Sequence, residues 1–174
     1  MKTIVINLYG GPGCGKSTIA ALAFGKLKQK GINCELVTEY AKDKVWEESY
    51  TTLKNQIYVF GKQLHRMWRL NNKVNVIITD SPLPLSIIYD SEKDVNFENL
   101  VMSEFNKFDN FNIIINRSTK YQIEGRYQTE EEAKKIDSDI LSLLCKYNIT
   151  TVILSLDIAV DRICEIVLNN LNNE

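Results

Sequence analysis

At 174 residues the chain has the length of one domain, large enough to bury a substantial core. Hydrophobic residues make up 44% and charged residues 25%, the balance of a soluble globular protein, and no apolar run approaches membrane-spanning length. The formal net charge of -1 gives no overall electrostatic reason for tight nucleic-acid binding and leaves room only for a local basic groove.

Cys14, Cys34, Cys145 and Cys164 are widely scattered, and without a C-x-x-C pair and with a single histidine they argue against a zinc site. The expectation is free thiols in a reduced, cytoplasmic setting. The chain opens on Lys2 to Tyr9, a β-branched apolar strand rather than a signal peptide. It runs into Gly10-Gly11-Pro12-Gly13-Cys14-Gly15-Lys16-Ser17, which fits G-x-x-x-x-G-K-[ST]. Thr18 to Leu27 follows with a helical pattern, closed by Gly31. Strand, glycine loop and helix together form a phosphate cradle. Backbone amides and the positive helix end converge on an anion, and glycines let the backbone approach it. Gly11, Gly13, Cys14, Gly15, Lys16, Ser17 and Thr18 are the candidate nucleotide-binding residues. Lys16 would reach the β- and γ-phosphates and Ser17 would ligate Mg²⁺. Cys14, near the helix N-terminus, is a candidate for oxidation.

Asn33 to Thr38 reads as a second strand, and Glu39-Tyr40-Ala41-Lys42-Asp43 opens a short helix through Trp46. Thr51 to Leu70 reads as one longer helix, with Leu53, Ile57, Phe60, Leu64, Met67 and Leu70 on its apolar stripe. Val74 to Thr79 is apolar enough to be a central parallel strand, ended by Asp80-Ser81-Pro82. Helices are expected over Leu83–Tyr89 and Phe97–Phe108, and a fourth strand over Phe111–Asn116. Arg117 to Gln128 is a polar connection. Thr129 and Glu132 have capping-box spacing and open a helix to about Lys146. Thr150 to Ser155 is the fifth strand, and Asp157 is expected to cap a final helix. Alternation of strands and helices implies an α/β doubly wound parallel sheet in a single domain.

Ligands of such sheets lie at the carboxyl ends of the strands, where the glycine loop, Glu39, Asp80 and Arg117 all fall. Asp80 is the candidate Mg²⁺ holder, or else a helix cap at a strand end. No Glu follows it to activate water, which favours transfer to an acceptor over hydrolysis. Glu39 is the candidate for handling an acceptor hydroxyl, with Asp43 one turn later as a substitute; stabilisation of a helix N-terminus is the structural alternative. Arg117, Lys120 and Arg126 would form a lid with Tyr121, Gly125 and Tyr127, neutralising charge on the transferred phosphoryl group; a solvated loop is the alternative. Gln56 and Gln63, seven apart, share a helix face and could read a base edge, with Tyr40 or Trp46 stacking on it; a polar helix surface with core aromatics is the alternative. His65 reads as a surface or packed residue. Lys42, Lys44, Lys54, Lys62, Arg66 and Arg69 lie around the acceptor side, either holding a DNA backbone or solvated.

The glycine loop, Glu39-Tyr40-Ala41-Lys42-Asp43, Ile77-Ile78-Thr79-Asp80-Ser81-Pro82 and Gly125 to Ala133 together resemble the AAA-labelled ATP-binding proteins of bacteriophages. These are similar to ribosylnicotinamide kinase domains, to nucleoside and nucleotide kinases, and to phage kinases of 5-hydroxymethyluracil in DNA. The resemblance implies a P-loop kinase-like three-layer sandwich with a five-stranded parallel sheet and a short arginine-bearing lid at about 117–128. It implies ATP and Mg²⁺ as cofactors. The implied catalytic residues are Lys16, Glu39, Asp80, Arg117 and Arg126; Ser17 and Asp80 would hold the metal, and Glu39, Tyr40, Asp43, Gln56 and Gln63 would meet the substrate. The implied acceptor is a nucleoside-like small molecule or a modified base in DNA. A deoxynucleoside monophosphate kinase and a regulatory ATPase are the alternatives. No membrane partner is expected, a homodimer is left open, and a phage origin would place the protein in the host cytoplasm.

Overall fold

The computed structural model describes residues 2–117 and 129–172. The elements run β1 (Ile4–Tyr9), α1 (Lys16–Gln29), β2 (Cys34–Val37), α2 (Tyr40–Trp46), α3 (Tyr50–Lys54), α4 (Gln56–Trp68), β3 (Val76–Thr79), α5 (Leu85–Tyr89), α6 (Val95–Phe105), β4 (Asp109–Ile115), α7 (Glu130–Lys146), β5 (Thr151–Leu154) and α8 (Leu156–Asn172). The five strands form one sheet in the order β2-β3-β1-β4-β5, every pair parallel.

Burial on both faces explains the near-continuous apolar strands. All six residues of central β1 are buried, and so are all four of β3. Side chains alternate across the sheet. Ile4, Ile6 and Leu8 face a core built with Ala20, Ala23 and Leu27 of α1 and Ala159, Ile163 and Val167 of α8. Val5 faces the opposite core, with Phe60 and Met67 of α4 and Phe97, Val101 and Phe105 of α6. Tyr9, on that second face, packs with Leu85 of α5 and Ile140 and Leu144 of α7. The result is the expected three-layer α/β sandwich. The chain leaves β1 toward the α1 face and leaves β3 toward the opposite face, so the crevice between these two carboxyl ends is where a ligand of this architecture sits.

Local signals explain most boundaries. Gly31 has φ 76°, and the amides of Gly31 and Ile32 donate to the carbonyls of Lys28 and Leu27 at 2.9 and 3.1 Å, the bonding of a Schellman cap. Thr129 and Glu132 form the capping box in both directions.

Two expectations change. The helix read over Thr51–Leu70 is two helices, α3 and α4. Asn55 interrupts it at φ -87°, ψ 83°, where its side chain accepts from the Tyr58 amide at 3.1 Å and caps α4. A short polar side chain competes with the helical backbone for that amide, which is why Asn caps helices better than it continues them. The inward face of α4 changes with it: Gln56, Val59, Phe60, Gln63 and Met67 are buried, whereas Ile57 is 64% exposed. Asp157 does not precede the final helix but lies in its first turn, after Leu156.

Gly31→Ala should cost roughly 1–2 kcal/mol, the penalty of a left-handed residue with a Cβ. Urea denaturation checks this, with a lower midpoint and an unchanged m-value expected.

Candidate functional site

The register of the sheet assembles the site. Val37 lies opposite Thr79, so Glu39 and Asp80 follow neighbouring strand ends, and β1 beside them delivers the glycine loop. Gly10, Gly13 and Gly15 have φ of 141°, 81° and 94°, values that only glycine adopts without strain. A Cβ on Gly15 would lie 2.6 Å from Leu156 Cδ2, so the start of α8 packs directly on the loop. Lys16 Nζ donates to the carbonyls of Gly10 and Gly11 at 2.6 and 3.0 Å, folding back over the cradle. Ser17 and Thr18 are exposed in the first turn of α1. Cys14 is fully buried, its thiol against Gly10, so the expected oxidation-prone position is shielded from solvent.

Asp80 is 6% exposed, with the backbone amides of Glu39 and of Asp80 itself favouring its charged form. Burial raises the pKa of its carboxyl, and Lys16 opposes that shift. Oδ1 of Asp80 is buried without a hydrogen-bond partner among the described residues. A hard anionic oxygen in that position is a donor of the type Mg²⁺ takes, and Mg²⁺ in such sites draws most of its remaining ligands from phosphate and water. The residues present therefore fit the metal. Burial also raises the pKa of Glu39; the Asp80 charge adds to the rise and Lys16 counters it. Glu39 stands at the N-cap of α2, the position of the helix-end stabilisation weighed for it, but makes no side-chain capping bond.

The remaining candidates are placed less directly. Tyr40 is buried, edge-on to Tyr58, with the Arg66 guanidinium over its ring. Asp43 pairs with Arg66 at 2.6 Å. The side-chain oxygen of Gln63 accepts the Tyr40 amide at 2.9 Å, and the Gln56 amide donates to the Leu53 carbonyl at 2.7 Å. Both glutamines share the inward face, as their spacing predicts; one bond of each holds α2 or the α3–α4 break, and the Gln63 Nε2 is buried without a hydrogen-bond partner among the described residues. Trp46 is 67% exposed and so is no core aromatic. Lys120, Tyr121, Gly125, Arg126, Tyr127 and Gln128 lie outside the described residues.

Arg117 is committed elsewhere than expected. Its Nε donates to Asp137 Oδ2 at 2.9 Å and its NH1 to the Pro12 carbonyl at 2.9 Å. Asp137 Oδ1 in turn accepts the Gly11 amide at 2.5 Å. Arg117 thus acts on the phosphate loop through that loop's backbone. Gly11 is required by close approach: a Cβ there would lie 2.6 Å from the Ala133 carbonyl and 2.8 Å from Asp137. Asp137 escaped the sequence reading because it sits 126 residues from Gly11 in an acid-rich helix, with no local pattern to single it out.

Two measurements check this geometry. Asp137→Ala should weaken ADP binding about tenfold by calorimetry, from loss of a charge-assisted bond and its ion pair. Asp137→Asn, which keeps an oxygen for Gly11, should fall between. The raised pKa of Asp80 means that the folded state binds its proton more tightly than the unfolded chain does. Wild-type stability is therefore lost as pH rises from about 4 through the folded value. Asp80→Asn should be more stable than wild type at pH 8, by on the order of 1 kcal/mol. That gap should close below about pH 4.

Comparison with known proteins agrees with the geometry. Two structures of the Mycobacterium tuberculosis APS kinase CysC are similar over 98% of each chain. One is a cysteine-to-alanine mutant, at 18% identity and a TM-score of 0.50. The other is the complex with AMPPNP and APS, at 16% identity and a TM-score of 0.51. At this identity the likeness shows a common fold, a P-loop nucleotide-kinase-like one. No curated protein matches the sequence. A family model described as an AAA domain matches residues 5–160, which include the glycine loop, Glu39, Asp80, Arg117 and Asp137, and the chain belongs to that AAA domain family of P-loop nucleotide-binding proteins.

Proposed function

We propose that the chain is an ATP- and Mg²⁺-dependent phosphotransferase that moves the γ-phosphoryl group onto a hydroxyl of a nucleoside-like acceptor. One observation carries this reading. Glu39, a carboxylate with no capping bond, stands beside Asp80 at the switch point, and both feel the charge of Lys16. An AAA-type motor usually carries a second acidic group beside the metal carboxylate on β3 to activate water, and Ser81-Pro82 stands there instead. The fold accommodates donor and acceptor at once, since AMPPNP and APS occupy the M. tuberculosis kinase together.

Each residue has a task in the transfer. The loop amides and Lys16, released from the Gly10 and Gly11 carbonyls, take the charge of the β- and γ-phosphates. Ser17 and Asp80 would hold Mg²⁺, which when bound neutralises charge on the phosphate oxygens. Glu39 accepts the proton of the acceptor hydroxyl as that oxygen bonds to the γ-phosphorus. The bond from phosphorus to the bridging oxygen breaks, and ADP leaves with the electron pair. The raised pKa of Glu39 suits a proton acceptor better than an ordinary glutamate would. Arg117 holds the loop through Pro12, and Arg126 is the candidate for charge on the transferred group. Among the described residues no helix is long and apolar enough to cross a membrane.

Transfer of label from γ-³²P-ATP tests the reading against nucleosides, nucleotides, nicotinamide riboside, and plain or hydroxymethylated DNA. Label entering one pool is expected; brisk ADP release without any acceptor would establish the ATPase instead. Lys16→Ala should abolish transfer. Glu39→Gln should lower kcat by about 10²–10⁴-fold, the usual worth of a general base, with ADP affinity retained. It should also remove the acid limb of the pH profile, which in wild type lies above the ordinary glutamate range.

A further inference from the structure

The helices that follow Glu39 combine an excess of positive charge with exposed aromatic rings. Residues 40–73 hold seven lysines and arginines against three acids, a net +4; the whole chain is -1, so the remainder carries -5. Lys44 is paired with Glu47 and Arg66 with Asp43. Lys54, Lys62 and Arg69 are exposed and have no ion-pair partner among the described residues.

Every exposed aromatic side chain among the described residues comes from the same stretch, including Trp46 at 67%, Tyr58 at 43% and Trp68 at 65%. On α4, Ile57, Tyr58, Lys62, His65, Trp68 and Arg69 are all exposed, and their spacing puts them on one outward face ~20 Å long. Cations and rings alternate along it. Lys62 Nζ lies 5.3 Å from the centre of the Tyr58 ring, and His65 stacks on Trp68 at 6.2 Å and 27°. No acid occurs between Gln56 and Lys73. At the foot of this face a cavity of about 330 Å³ opens beside edge strand β2, lined by Thr38, His65, Arg66 and Arg69.

We propose that the outward face of α4 binds a single-stranded polynucleotide, its bases on the exposed rings and its phosphates on Lys62, Arg69 and the cavity that Arg69 lines. Protein interfaces deplete lysine, and an apolar contact gains nothing from the unpaired charges of Lys62 and Arg69. A polyanion with open π-faces matches both features, because stacking and phosphate neutralisation are the two terms of single-strand binding. A duplex hides its base faces and satisfies only one. The cavity is lined by Thr38, adjacent in sequence to Glu39. The surface therefore also names the acceptor class, a nucleoside within a strand; only that last step rests on the phosphotransferase reading.

Both tryptophans of the chain, Trp46 and Trp68, are exposed and lie within residues 40–73, so tryptophan fluorescence, excited selectively over tyrosine, reports on this stretch. An oligothymidylate about 20 nucleotides long, longer than a single site on such surfaces, should quench it, and a blunt duplex should do so far less. An oligouridylate arm shows whether DNA or RNA is preferred. The apparent association constant should fall steeply and log-linearly with salt. Trp68→Ala, and separately the pair Lys62→Glu and Arg69→Glu, should each weaken binding of a labelled strand about tenfold in anisotropy. ADP affinity should stay unchanged in these variants, which shows that they fold.

Absence of quenching at low salt would overturn the proposal. So would equal quenching by thymidine monophosphate at the same nucleotide concentration, variants that bind as wild type does, or light scattering that shows self-association through this face. Strand binding without transfer to any acceptor would leave this inference standing and remove the phosphotransferase reading.

Discussion

The molecule depends on holding open a loop that has little shape of its own. Residues 10–17 contain four glycines, and glycine loses more backbone freedom on ordering than any other residue. The loop must nevertheless keep its amides turned inward before any phosphate arrives, or ordering it would subtract from nucleotide affinity. Three contacts do this from outside the motif. Asp137 of α7 takes the Gly11 amide, Arg117 at the end of β4 takes the Pro12 carbonyl, and Leu156 of α8 packs on Gly15. Arg117 and Asp137 also bond to each other, so β4 and α7 reach the loop as one unit. That explains why Gly11, whose φ makes no special demand, has no room for a side chain. Phosphate-loop geometry is a property of the β1, β4 and α7 arrangement as much as of the motif.

A second constraint opposes stability. Two carboxyls, on Glu39 and Asp80, are brought together where burial disfavours their charged forms and the Asp80 charge further disfavours that of Glu39. Lys16 offsets part of this, but its ammonium also serves the Gly10 and Gly11 carbonyls. A fold selected for stability alone would place neutral groups here. The arrangement makes sense when a cation and a polyphosphate complete it, since the cation meets Asp80 and the phosphates draw Lys16 away from the loop backbone. Perturbed carboxyls grouped at a strand-end crevice are how a site stores the capacity to move a proton and hold a metal.

What could be read in the chain beforehand follows from how local its causes are. The glycine loop, the Gly31 cap and the Thr129–Glu132 box each lie within a few residues, and each takes the form its sequence predicts. Strand ends fix which side chains reach the crevice, so Glu39 and Asp80 could be placed together without coordinates. Asp137 could not, because its partner is 126 residues away. Nor could the partial inversion of α4, which exposes Ile57 and buries Gln56 and Gln63 while Phe60 and Met67 keep their expected core positions. A stripe through Ile57 and Phe60 looks like a core face, and Gln56 and Gln63 look like a solvent face. Asn55 as a cap starts a new helix and turns it so that the glutamines point inward. Once inside, they satisfy the Tyr40 amide and the Leu53 carbonyl, which apolar residues could not.

The inversion has a consequence on the other side of the helix. With amides turned inward to anchor α2, the outward face of α4 carries Ile57, Tyr58 and Trp68, apolar area that the core could have used. Leaving a tryptophan 65% exposed forgoes a large part of the stabilisation that its burial would bring, on the order of 25 cal/mol per Å². The exposed rings lie in residues 40–73, a stretch of net charge +4 that follows Glu39 directly. Random surface drift would scatter exposed rings over both halves of the molecule, and single exposed apolar residues would then need no account. Rings and cations gathered on one helix face instead trade internal packing for contact with something outside. The same helix thus holds the start of α2, the residue after Glu39, through Gln63 and the Tyr40 amide, and presents a stacking, cationic surface on its other side, so that on the proposed reading acceptor capture and acceptor chemistry would share one element.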